Sequence, residues 1–145
     1  MKKNLVLTIS MVIAAILCFC GIVCAQDTSV ILKYGESELF TKEDMDAAFE
    51  AVMAEFAGWE GCVLHSVTYA GDEWNDPAAV KWLNQLKAEK QAEGPEYTEC
   101  IMFLSSFHSP ADGGGAWRPD DEYTVWQWWL GRPAGGDWQL MSWGY

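Results

Sequence analysis

Basic residues are scarce in this chain: nine Lys and Arg stand against 21 Asp and Glu, for a net charge of −12. Nucleic acid and anionic membranes are bound through clustered Lys and Arg, so this composition argues against both as partners. Histidine is scarcer still. His65 and His108 are the only two, and neither has a paired ligand nearby, so a zinc site would need Cys or acids from across the fold. No serine stands in a Gly-x-Ser-x-Gly turn, and no glycine-rich loop carries the Lys of a phosphate cradle. The loop "HSPADGGGAWRPDDE" offers Asp112, Asp120, Asp121 and Glu122 but lacks the alternating acids and turn glycine of a calcium loop, and reads as a solvated acidic loop. No cofactor is expected. There is no internal repeat and no linker within the domain.

The opening "MKKNLVLTISMVIAAILCFCGIVCAQD" has Lys2 and Lys3, an apolar run from Leu5 to Val23, and the small residue Ala25, the order of a bacterial secretory signal. Cleavage after Ala25 leaves Gln26 first and makes the protein secreted or extracytoplasmic. Two rivals stand beside this reading. Lipid attachment at Cys24 wants a small residue just before it, a place Val23 fills poorly, and the apolar run approaches the roughly 20 residues of a retained membrane anchor. Cleavage leaves seven bases against 21 acids, hence −14, on a chain long enough for one domain. Residues 1–25 are thus read as signal, 26–36 as a mobile N-terminal segment and 37–145 as the domain. Cysteine is sparse in it, with Cys62 and Cys100 alone remaining. A bridge between them would close a loop of about 38 residues, worth about 4 kcal/mol in the chain-entropy model, while two buried free thiols are the equal alternative.

What is present is patterned. In "LFTKEDMDAAFEAVMAEFAGWEG", Thr41 and Asp44 have capping-box spacing, and Met45, Ala48, Phe49, Val52, Met53 and Phe56 recur at three and four, which predicts an amphipathic helix stopped at Gly58. "CVLHSVTYA" alternates as a strand, with Val63, His65, Val67 and Tyr69 expected on one face. "NDPAAVKWLNQLKAEKQ" predicts a second helix, capped by Asp76 with Pro77 at its first position. "YTECIMFLSSF" is apolar on both faces, as a covered central strand is. The closing "TVWQWWLGRPAGGDWQLMSWGY" reads as an aromatic hairpin. The order helix, strand, helix, strand, strand, strand predicts an α+β fold in which a curved, mainly antiparallel sheet wraps the long first helix.

The runs "LFTKEDMDAAFEAVMAEFAGWEGC", "WQW" and "DWQLMSWGY" resemble a family of uncharacterised secreted domains of Gram-positive bacteria. That family is similar to the nuclear transport factor 2-like superfamily, the α+β cone that also hosts ketosteroid isomerase and polyketide cyclases. The resemblance spans nearly all of the mature chain. It implies a cone fold and no particular chemistry, because the superfamily includes enzymes and pure binding domains alike.

With Leu130 placed opposite Trp138, Trp126 and Trp128 share a face with Trp138 and turn toward the helix stripe of Met45, Phe49, Val52 and Phe56. Burying about 200 Å² per indole is worth up to roughly 5 kcal/mol each, which makes these residues core. The other face would then hold Trp129, Trp143 and Tyr145 beside Gln127 and Gln139, a mixture of rings and amides suited to a sugar or a partner protein. Its competing fate is to be covered by the second helix through Trp82 or by the loop through Trp117. The enzyme alternative, an isomerase or cyclase, rests on His65 as base and Tyr69 as oxyanion donor, four apart on one strand face. A satisfied core histidine is the commoner outcome. The leading expectation is a non-catalytic binding domain, its partner a small molecule in the cone, a glycan or an extracellular protein, with a homodimer left open. A carbohydrate-binding module through Trp129 and Trp143 ranks behind the enzyme.

Overall fold

The computed structural model describes residues 29–145; the signal-peptide assignment, 1–25, lies outside the described residues. The fold is α+β, with β1 (Ile31–Lys33), α1 (Lys42–Phe56), β2 (Val63–Tyr69), α2 (Pro77–Glu89), β3 (Glu99–His108), β4 (Glu122–Arg132) and β5 (Gln139–Gly144). Short 3-10 turns at Asp72–Trp74 and Gly113–Gly115 complete it. The strands lie side by side in chain order, β1 parallel to β2 and every later pair antiparallel. β1 corrects the helix-first order and forms part of the segment expected to be mobile. Three residues are too few to display period-two alternation, and this strand exists because the outer edge of β2 offers it a ladder.

The helix ends follow local chemistry. Thr41 accepts a hydrogen bond from the Asp44 backbone N–H, and the Asp44 carboxylate accepts one from the Thr41 N–H, which satisfies two of the helix's orphan donors. Asp76 accepts from the Ala79 N–H at 2.7 Å, and Pro77, which lacks an N–H, opens α2. Residues of α1 at three and four, namely Met45, Ala48, Phe49, Val52 and Phe56, are buried, whereas Met53 is exposed.

The two helices serve opposite faces of the sheet. Along β3, Ile101, Phe103 and Phe107 join the α1 residues, Trp128 and Leu130 in the larger core, while Cys100 joins Leu83, Tyr97 and Met141 in a smaller one under α2. Strand alternation makes this division necessary, because neighbouring side chains leave the backbone on opposite sides. β3 is thereby covered on both faces.

Three β-bulges break the alternation. Leu64 pairs with Phe107 and Ser66 with Ser106, which leaves His65 as the extra residue of β2. Ser105 pairs with Trp126 and Phe107 with Tyr123, so β4 carries an extra residue at Thr124–Val125, where Val125 has φ of 54°. Trp129 pairs with Ser142 and Leu130 with Leu140, which makes Met141 the extra residue of β5. Beyond each bulge the facing parity inverts.

Candidate functional site

The His65 bulge separates the two residues of the enzyme reading. Leu64, Val67 and Tyr69 enter the larger core, whereas His65 is exposed, with Nε2 at 3.4 Å from Glu122 Oε2. Tyr69 is buried, and its hydroxyl donates to Asp72, which also accepts from the Ser37 hydroxyl. Burial foremost, and then Asp72, push the Tyr69 phenol well above its ordinary 10.0, the reverse of what an acidic oxyanion donor needs. The expected common face of His65 and Tyr69 is therefore corrected. The other histidine lies between two acids, with Nε2 at 2.9 Å from Asp120 and Nδ1 at 3.1 Å from Glu122. Those two carboxylates raise the His108 imidazole above 6.5, Asp120 contributing most. Among the described residues no group of three or more His, Cys, Asp and Glu is arranged to hold a metal ion. Cys62 and Cys100 are both free, the first packed against the larger core and the second within the smaller, on opposite sides of the sheet. That placement corrects the bridged alternative. Burial lifts both thiols, Cys100 to about 12.

The closing aromatics also divide differently from the expected platform. Leu130 pairs with Leu140 rather than Trp138. Trp128 and Trp138 are buried in the larger core, and Trp126 is half-buried against it. The Met141 bulge turns Trp143 to the α1 side, opposite Trp128, where the two rings stack at 6.4 Å. Tyr145 packs edge-on to Trp126 at 5.1 Å, and the Val125 bulge brings Tyr123 flat against Phe107 at 4.7 Å. Trp59 and Trp117, 4.9 Å apart, extend this group of rings over the end of α1. Trp143 and Tyr145 are therefore removed from the face of Trp129, although they remain 42% and 72% exposed.

Trp129, Gln127 and Gln139 stay on the α2 side. Tyr97 donates through its hydroxyl to Gln139 at 2.6 Å, which occupies that amide oxygen in the smaller core's hydrogen bonding. Trp129 is half-buried, and its ring lies perpendicular to those of Trp82 at 5.3 Å and Trp74 at 5.5 Å. The second helix thus covers part of Trp129 through Trp82, while Trp117 packs on the other side. The contribution of Trp74 escaped sequence reading because it sits in a single 3-10 turn with no periodicity of its own. The Trp129 Nε1–H donates to Gln127 Oε1 at 3.0 Å. An indole nitrogen only donates, so the amide oxygen is the atom facing it and the Gln127 NH₂ is left for another partner.

Beside these residues lies a pocket of about 320 Å³, bordered by Trp82, Gln127, Trp129, Ser142 and the Trp143–Tyr145 end of the chain. A larger cleft, about 690 Å³, runs between α2 and the approach to β3. Two of its amides are already engaged: Asn84 pairs with both the N–H and the C=O of Tyr97, and Asn75 accepts from the Cys100 N–H. Those contacts stand in for the strand that β3 lacks there, closing an edge that would otherwise recruit another chain.

Fold and site together define an α+β domain with a filled interior on the α1 side and a small aromatic pocket at the outer end of β4 and β5. Comparison with family models, curated proteins and solved structures finds no match for the chain.

Proposed function

We propose that this protein is a secreted, non-catalytic binding domain that takes its ligand on the outside of the sheet. The observation that carries the reading is the filled space under α1, where Phe49, Phe103, Phe107 and Trp128 are all 2% exposed or less. A core packed to that degree leaves no room for a substrate among its own side chains. The separation of His65 from Tyr69 supports the same reading, because a base and an oxyanion donor must reach one substrate atom together. Membership of the secreted family similar to nuclear transport factor 2, with α1 held in a curved sheet, belongs to this proposal, supported by the packing of α1 on one sheet face. Secretion rests on the Lys2–Ala25 pattern; no helix among the described residues is long and apolar enough to cross a membrane.

The test is thermal unfolding of the full chain against panels of oligosaccharides, peptides and apolar small molecules, with each ligand's mass checked afterwards. A ligand that binds only the folded state raises the melting temperature by an amount that grows with the logarithm of its concentration over Kd. The expected result is a rise with the ligand unchanged. Chemical turnover would remove the non-catalytic assignment, and stabilisation by an apolar ligand that contacts Phe49 or Phe103 would place the site inside.

A further inference from the structure

We infer that the pocket beside Trp129 binds an uncharged saccharide; this rests on the binding-domain reading and names its ligand class. No side chain lining the pocket carries a formal charge: the indoles of Trp82 and Trp129, the Gln127 amide and the Ser142 hydroxyl, with Trp143, Gly144 and Tyr145 along its edge. In a chain with 21% charged residues this is a selective feature. The α2 cleft has Asp76, Lys81 and Glu96, the cleft beside Tyr34 has Glu36 and Lys42, and the cleft over Trp59 has Glu60.

The lining chemistry narrows the ligand. An ionic ligand would leave water in this pocket without meeting an opposite charge, and an anionic one would also face the field of a chain at −12. A purely aliphatic ligand would cover the Gln127 NH₂, which has no partner among the described residues, and leave it unpaired, at a cost in affinity. A saccharide satisfies both kinds of group, because its C–H face packs on an indole while its hydroxyls meet an amide or hydroxyl at the rim. The perpendicular rings of Trp82 and Trp129 form a corner, which receives one sugar face on one wall and the ring edge on the other. At about 320 Å³ the site is at the small end of ligand pockets and accepts one or two sugar units.

The experiment is a titration of the ¹⁵N-labelled full chain with cellohexaose, xylohexaose and chitohexaose, with hexagalacturonate as the charged counterpart. At least one neutral sugar is expected to move the Trp129 indole N–H and the Gln127 side-chain amide, with hexagalacturonate leaving both in place. Gln127→Met keeps the volume and removes the amide, and is expected to weaken binding about tenfold with an unchanged fold; Trp129→Ala is expected to weaken it at least that much. Because Trp129→Ala also removes packing, Gln127→Met carries the test. Unmoved Trp129 and Gln127 signals with all three neutral sugars would overturn the inference, as would equal binding of hexagalacturonate. If the sugars fail while a peptide or lipid moves signals elsewhere, the saccharide assignment falls and the binding domain stands. If a sugar binds and is cleaved, the pocket stands and the non-catalytic reading falls.

Discussion

Arg132 holds three parts of the molecule at one point. Its guanidinium donates to Asp44 at 2.6 Å and Glu99 at 2.7 Å and lies over the Trp138 ring at 4.3 Å. Since the side chain is only 17% exposed, Arg132→Met removes the partner of two half-buried acids and is expected to cost about 2–3 kcal/mol, read as a lower urea midpoint. The same guanidinium, followed by the Thr41 backbone, holds the Asp44 carboxyl below its ordinary 3.8. A depressed folded value contributes stability that is present above pH 3.8 and lost as pH falls through the folded value, so Arg132→Met should also flatten the acid limb of the stability curve. His108 has the opposite sign. Its raised folded value contributes stability that is complete below pH 6.5 and disappears as pH rises through the folded value, and His108→Gln should abolish that decline in pH-dependent thermal scans. Val125 carries strain of another kind: a β-branched residue at φ 54°, 59% exposed. Left-handed geometry costs an L-residue about 1–2 kcal/mol, so Val125→Gly should stabilise by roughly 0.5–1 kcal/mol after glycine's entropic penalty.

Elements are where sequence periodicity succeeds and fails for identifiable reasons. α1 and α2 are legible because cap, stripe and stop are local signals: Thr41 with Asp44, Asp76 with Pro77, and apolar residues at three and four all act within a few turns. The strands are legible as strands, but their faces are not. Alternation assigns Tyr69 the side of His65, Tyr123 the side of Trp129 and Trp143 the side of Trp129, and a bulge intervenes each time. Nothing in "LHSV", "YTVW" or "LMSW" announces an extra residue, because a bulge is set by the register of two strands together. Gly131 illustrates the same dependence on a partner. A Cβ there would meet the Tyr97 ring at 2.6 Å, so Gly131→Ala is expected to destabilise by about 1–3 kcal/mol, the range for overpacking, with the loss visible in chemical unfolding.

For the molecule as a whole, the sheet decides which distant residues meet. It separates Cys62 from Cys100 on opposite faces, and peptide mapping after alkylation should recover both unbridged, with Cys100 labelled only once the chain unfolds; a linked peptide would contradict this. Burial keeps the Cys100 thiol protonated at neutral pH, and only a thiolate reacts readily. Tertiary packing also brings Trp74 and Trp82, from two other elements, edge-on against Trp129. Sequence alone determined the acidic character, the α+β class, the two helices with their caps and the aromatic wealth of the last hairpin, since these are properties of composition and of contacts within a few residues. Tertiary structure alone decided the parallel β1, the three bulges, the fate of His65 and Tyr69, and the division of Trp129 from Trp143. Each depends on pairing between strands far apart in the chain, and a shift of one residue in that pairing turns a side chain from one face of the sheet to the other.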